Sequence, residues 1–253
     1  MHDDHEPGIS LLSQPIDSVL GRQLSSRARR FVTEYGDFLG KIDFRDIVQH
    51  PTPQVRFMEG YYSTDGTRHS VWLSRESPDF EGLLIHQSMR AILMEGGFPR
   101  AECEPASVSC SLIHYLGVLL SNVVTGPVID MQLAQRGFYL YDRETLIRRA
   151  IADLWLDAVQ KTVAPGFLFR KWALFTVVLR LDPTFAGDGA ERLRRLIREE
   201  FPLSVEFGDR FSGTIIETGF KDPYSALIVM VRLRNALELH EKIFIVDGNG
   251  TSW

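Results

Sequence analysis

His86 and Arg90 stand four residues apart in the apolar stretch Leu83-Leu84-Ile85-His86-Gln87-Ser88-Met89-Arg90-Ala91-Ile92-Leu93. Side chains four apart share one face of an α-helix, so the pair can act on a single ligand. A neutral imidazole at position 86 can give a lone pair to a metal ion. Gln87 beside it is a neutral amide that takes no proton from water, and losing a general base costs ~10²–10⁴-fold in rate. Arg90 is a permanent cation with no lone pair to donate. One metal bond and one fixed positive charge do not make a hydrolytic centre. Arg90 is expected to pair with an internal acid such as Asp130 or Glu95, to face solvent, or to take an anionic group from a partner.

Other chemistry-bearing residues are scattered. His114 lies in a second apolar stretch, and His86, His114, Asp130 and Cys103, with Glu102 nearby, form an alternative metal set whose spacing matches no compact site. Cys103 and Cys110 are seven apart, too far for a Cys-x-x-Cys pair, and read as two reduced thiols. The His2-Asp3-Asp4-His5-Glu6 tail reads as flexible and acidic. Gly36-Asp37-Phe38-Leu39-Gly40-Lys41-Ile42 lacks the spacing and the Ser or Thr of a phosphate loop. Neither a dinucleotide fingerprint nor a Gly-x-Ser-x-Gly elbow occurs. Arginines cluster twice, at 22, 27, 29 and 30 and at 192, 194, 195 and 198. The second set, flanked by Glu191, Glu199 and Glu200, reads as a solvated, salt-bridged helix face.

The elements that carry these residues follow from pattern and punctuation. A helix is expected over 17–35, a short helical turn over 43–50, and strands over 55–62 and 69–73 joined by turn residues 63–67. Ser77-Pro78-Asp79 opens a helix over 78–95 that Gly96-Gly97 stops. A mostly apolar helix over 106–124 breaks at Gly126-Pro127 and resumes over 128–136. Helices are expected over 144–162 and 167–181. Beyond Asp182-Pro183 come a charged helix over 189–200, a β-leaning stretch over 203–217, a helix over 223–239 and a strand over 242–246. The fold class is α+β: a mostly helical body with a small antiparallel sheet, forming a domain at 1–182, and a C-terminal α+β segment at 183–253 packed on it or mediating assembly.

The succession of strands, Ser-Pro-Asp turn, His-bearing helix, glycine stop and second apolar helix resembles the core of the zincins over about residues 70–140. In these zinc metallopeptidases a helix carries His-Glu-x-x-His and a later helix supplies the third ligand. Gly97-Phe98-Pro99 matches the Gly-Phe-Pro-like end of that helix in small bacterial zincin-like proteins, and Gly137-Phe138 matches the later Gly-Phe. The resemblance implies that His86 stands at the first ligand. Gln87 then replaces the general base, Arg90 replaces the second histidine, and Thr125-Gly126 stands at the third ligand. It implies a degenerate cleft of His86, Gln87, Arg90, Gly126 and Asp130, with no catalytic residue, no metal and no cofactor.

Composition bounds the rest. The chain has 253 residues, 44% hydrophobic and 24% charged, as in ordinary globular proteins and unlike disordered, collagenous or coiled-coil chains. With 28 Lys and Arg against 33 Asp and Glu, its net charge of −5 runs against nucleic-acid binding. No apolar run is expected to approach the ~18 residues of a membrane span. The N-terminus lacks a basic and an apolar signal region, so the expected setting is the cytoplasm, with no membrane. The expected function is that of a catalytically inactive, zincin-like interaction or regulatory protein in a bacterial multiprotein system, bound to a protein partner or to its own copies. The alternatives are an active metal-dependent hydrolase using His86, His114, Asp130 and Cys103, and a nucleic-acid-associated module using the arginine-rich helices.

Overall fold

A computed structural model describes residues 24–51, 59–64, 68–103, 111–138, 143–159 and 164–253. The His2–Glu6 tail, Arg22 and the start of the first expected helix lie outside the described residues. So do 55–58 of the first expected strand, 65–67 of the turn, Cys110 with 106–109, and 160–162. The chain divides into two compact units, Met1–Ile92 with Ala134–Tyr141, and Leu93–Leu133 with Asp142–Trp253.

The first unit begins with α1 (Ser26–Glu34), whose N-cap Ser25 accepts from the Ala28 amide at 3.3 Å. Ser25 is itself anchored, its amide and hydroxyl both donating to the Glu81 carboxylate at 2.6 Å. Ala28 and Phe31 form the buried side of α1, and Phe138 packs edge-on against Phe31 with ring centroids 5.4 Å apart. The Arg30 guanidinium lies 4.6 Å over the Phe138 ring and donates to the carbonyls of Arg136 and Gly137. Arg136 in turn bonds the Tyr35 hydroxyl. Two arginines are thereby committed to internal contacts.

After the single turn α2 (Gly36–Leu39) come β1 (Ile42–Asp46), a 3-10 turn (Ile47–Gln49), β2 (Gly60–Thr64) and β3 (His69–Leu73). The sheet order is β1-β3-β2. β3 pairs antiparallel with β2 (Tyr62 opposite Val71) and parallel with β1 (Phe44 opposite Val71). The sheet is therefore mixed where the sequence suggested a purely antiparallel one, and 42–46 is a strand where a helical turn was expected. The charged residues of Ile42-Asp43-Phe44-Arg45-Asp46 conceal its alternation; Arg45 pairs with Oδ2 of Asp43 along the strand, and Ile42 is buried. The central β3 buries Val71, Trp72 and Leu73 in succession.

α3 (Phe80–Glu95) opens as its turn chemistry predicts. The Ser77 hydroxyl accepts from the Asp79 amide at 3.2 Å and donates to Glu59 at 3.1 Å. It closes on Gly97, whose φ of +86° suits glycine, with the Phe98 amide returning to the Leu93 carbonyl at 3.0 Å.

The second unit holds β4 (Arg100–Cys103), α4 (Ser111–Gln135), α5 (Arg143–Val159), α6 (Pro165–Leu181), α7 (Asp188–Glu200), α8 (Pro202–Thr218), α9 (Pro223–Ala236) and β5 (Ile243–Val246). β4 pairs antiparallel with β5 from Arg100–Val246 to Cys103–Ile243. Buried Arg234 donates from α9 to the carbonyls of Ile243 and Trp253.

Three expectations fail here for physical reasons. α4 is one helix running through Pro127, without the expected break. Val123, Val124, Val128 and Ile129 around the proline are all sealed from water, and this burial outweighs the lost backbone bond. The described helix from Leu112 to Gln135 is in consequence long and apolar enough by composition to cross a membrane, which corrects the expectation that no such run exists; half of its most apolar window is buried. Residues 203–217, expected to lean toward β, belong to α8. Its buried positions Ser204, Val205, Gly208, Ser212 and Ile215 follow helical spacing, so tertiary packing overrides the aromatic and β-branched propensity.

Candidate functional site

The face of α3 that carries His86 and Arg90 is the site the sequence points to. Both side chains are half-buried, one turn apart and engaged by neighbouring groups. The residues around them, Leu84, Ile85, Met89 and Ala91, are almost completely sealed. Because four residues advance a helix by 400°, the two basic side chains project within about 40° of each other and about 6 Å apart along the axis.

Gln87 points elsewhere. It is 7% exposed and lies against β2: a Cβ built on Gly60 would sit 3.5 Å from its Cγ and 3.6 Å from its Nε2. These are ordinary contact distances; the tight approach at position 60 is to Leu83, whose Cδ2 would lie 3.1 Å from such a Cβ. Its carbonyl Oε1 and the Ser88 hydroxyl, both buried, meet no hydrogen-bond partner among the described residues. An unmet buried polar atom costs about 1–3 kcal/mol, so this junction is held at some expense by the packing around it.

The remaining residues of the expected cleft sit on α4 in the second unit. Asp130 is 3% exposed and engaged by neighbours. Gly126 is half-buried, and a Cβ there would meet nothing within 4 Å. His114 is half-buried, and burial pulls its pKa below the ordinary histidine value. The Cys103 thiol donates to the Ile113 carbonyl at 3.6 Å, and a Cβ on Gly117 would approach its sulfur to 3.1 Å. No three His, Cys, Asp or Glu side chains among the described residues gather in a way that could hold a metal ion, which covers His114, Cys103 and Asp130 in this unit.

Two clusters in the second unit escaped the sequence reading. Lys171 is buried and bonds Asp157 at 2.6 Å; the Trp172 indole donates to the same oxygen at 3.0 Å. The Lys171 ammonium also lies 5.6 Å over the Tyr115 ring, and burial, reinforced by the Asp153 and Asp157 carboxylates, pushes the Tyr115 hydroxyl up to about 12. The signal was a lone lysine inside the apolar run of α6. In the second cluster Arg194 turns inward from α7, while Arg180 and Arg198 share Asp209. Arg194 and Arg198 are spaced to follow buried Leu193 and Ile197 around the helix, a hint that this side is not all solvated.

Compared with known proteins, the chain matches no family model, no curated protein and no solved structure.

Proposed function

We propose that the protein is a catalytically inactive, zincin-like interaction module that works in the cytoplasm through a protein partner or a second copy of itself. The observation that carries the reading is the division of labour on α3. His86 and Arg90 share a half-buried face while Gln87 is packed against Gly60 of β2. In the resemblance stated above, these positions are the first ligand, the second ligand and the general base. Here one potential ligand is left beside a guanidinium, which repels a metal cation and attracts carboxylates or phosphates. A neutral amide occupies the position that must take a proton from water. The antiparallel pair β2–β3, followed directly by the His-bearing helix, supports the same reading. Such a face suits recognition of an acidic group rather than hydrolysis.

The test is the metal content of tag-free protein after a brief chelator wash, read by elemental mass spectrometry, together with a peptidase assay. The expected result is less than about a tenth of an equivalent of transition metal and no hydrolysis. Close to one equivalent of zinc, or hydrolysis that disappears in His86→Ala, would overturn the reading.

A further inference from the structure

We propose that α6, α7 and α8 build a second site, for a phosphate-type oxyanion, from Arg180, Arg194 and Arg198 around Asp209. These side chains line a shallow, open pocket on an apolar floor of Ile197 and Val205. Arg180 Nε donates to one oxygen of Asp209 at 2.6 Å, and Arg198 Nη2 to the other at 3.4 Å. Arg194 is fixed from behind: its Nη2 donates to the carbonyls of Leu179 and Phe185, both at 2.8 Å, and its Nη1 pairs with Glu191. Its buried Nε–H meets no acceptor among the described residues.

Three guanidinium groups thus converge where, among the described residues, two carboxylates, Asp209 and rim-exposed Glu191, pair with them. The pocket retains a positive charge, and guanidinium forks match the geometry of phosphate oxygens. The loose arm is accessible: the Arg198 side chain is 60% exposed and the Arg180 side chain 42%. Asp209 then serves as an internal anion that holds the arginines in place and competes with an external one. An incoming phosphate takes over Arg198 and draws on the exposed guanidinium of Arg180, with Arg194 adding its charge from behind. The ligand is either inorganic phosphate or the phosphoryl group of a small molecule, since both present the same oxygens.

The experiment is calorimetric titration of the full chain with inorganic phosphate against sodium chloride of equal ionic strength, repeated with phenyl phosphate. Saturable phosphate binding is expected, weakened about tenfold in Arg198→Gln and tightened about tenfold in Asp209→Asn, where a competing charge is removed. Tighter binding of phenyl phosphate would assign the site to a phosphorylated small molecule, and equal or weaker binding to free phosphate. Should Arg198→Gln not fold, the wild type and Asp209→Asn decide alone. Absence of saturable binding beyond chloride in both, or Arg198→Gln binding as well as wild type, overturns the proposal and leaves an internal ion network.

Discussion

Lys171 Nζ and Asp157 Oδ2 face each other at 2.6 Å, with side chains only 10% and 12% exposed. A charge taken this far from water is tolerated because its partner travels with it. Lys171→Met strands the Asp157 carboxylate and is expected to cost about 3–5 kcal/mol. The double variant Asp157→Asn/Lys171→Met should recover most of that loss, because no lone charge is left behind and the amide oxygen still accepts from Trp172. Urea unfolding followed by tryptophan fluorescence measures both, and equal losses in the single and double variants would refute the argument.

Gly208 lets α8 approach α6 closely. A Cβ there would stand 2.6 Å from Thr176 Cβ and 3.0 Å from the Ala173 carbonyl. Gly208→Ala is therefore expected to destabilise by about 1–3 kcal/mol through overpacking. Gly126, also inside a helix but with nothing near its missing Cβ, should behave in the opposite sense. Gly126→Ala is expected to stabilise by roughly 0.5–1 kcal/mol by relieving backbone entropy. Thermal melts of the two variants should shift in opposite directions.

Two neighbours on α4 give the stability profile opposite flanks. The folded pKa of His114 is lowered by burial, so the unfolded chain binds the proton more readily. Its contribution is complete above about pH 6.5 and is lost as pH falls toward the folded value. Tyr115, pushed up to about 12, behaves in mirror image: its contribution is complete below about pH 10 and fades as pH rises toward 12. His114→Gln should flatten the acid flank and Tyr115→Phe the alkaline one, each leaving the other unchanged in denaturation curves taken across pH.

Arg90→His tests the shared face on α3. Two histidines four apart on one helix face make a zinc clamp, so the variant should take up zinc that wild type does not. Adding His86→Ala to it should weaken that binding by about tenfold or more. Zinc titration that is indifferent to His86 would show that the two positions do not converge.

Local punctuation was legible in the sequence. Ser77-Pro78-Asp79 opens α3, Gly97 closes it, Pro223 begins α9, and β3 spans His69–Leu73 as its apolar run suggests. Long-range decisions were not legible. β1 hides among charges, Asp43 and Arg45, that pair with each other along the strand, and β4 has no pattern of its own until β5 lies beside it. α4 survives its proline and α8 its β-favouring residues because burial outweighs local preference. At the candidate site, the spacing of His86 and Arg90 was readable, since helical pitch alone puts them on one face. That Gln87 lies buried against Gly60 of β2 was not, because it depends on a strand more than twenty positions earlier.

The pairing of Arg100 with Val246 sets an order of assembly. β4 emerges early in synthesis, yet its ladder partner arrives only after six further helices have been made. Closing so long a loop is entropically slow, and non-local pairing of this kind delays folding. Until β5 docks, β4 is an edge with open amides and carbonyls, the sort of surface on which nascent chains stick to one another. The two-stranded sheet is accordingly the latch of the second unit. Its late closure makes yield during expression more sensitive to changes in 243–246 than their small number suggests.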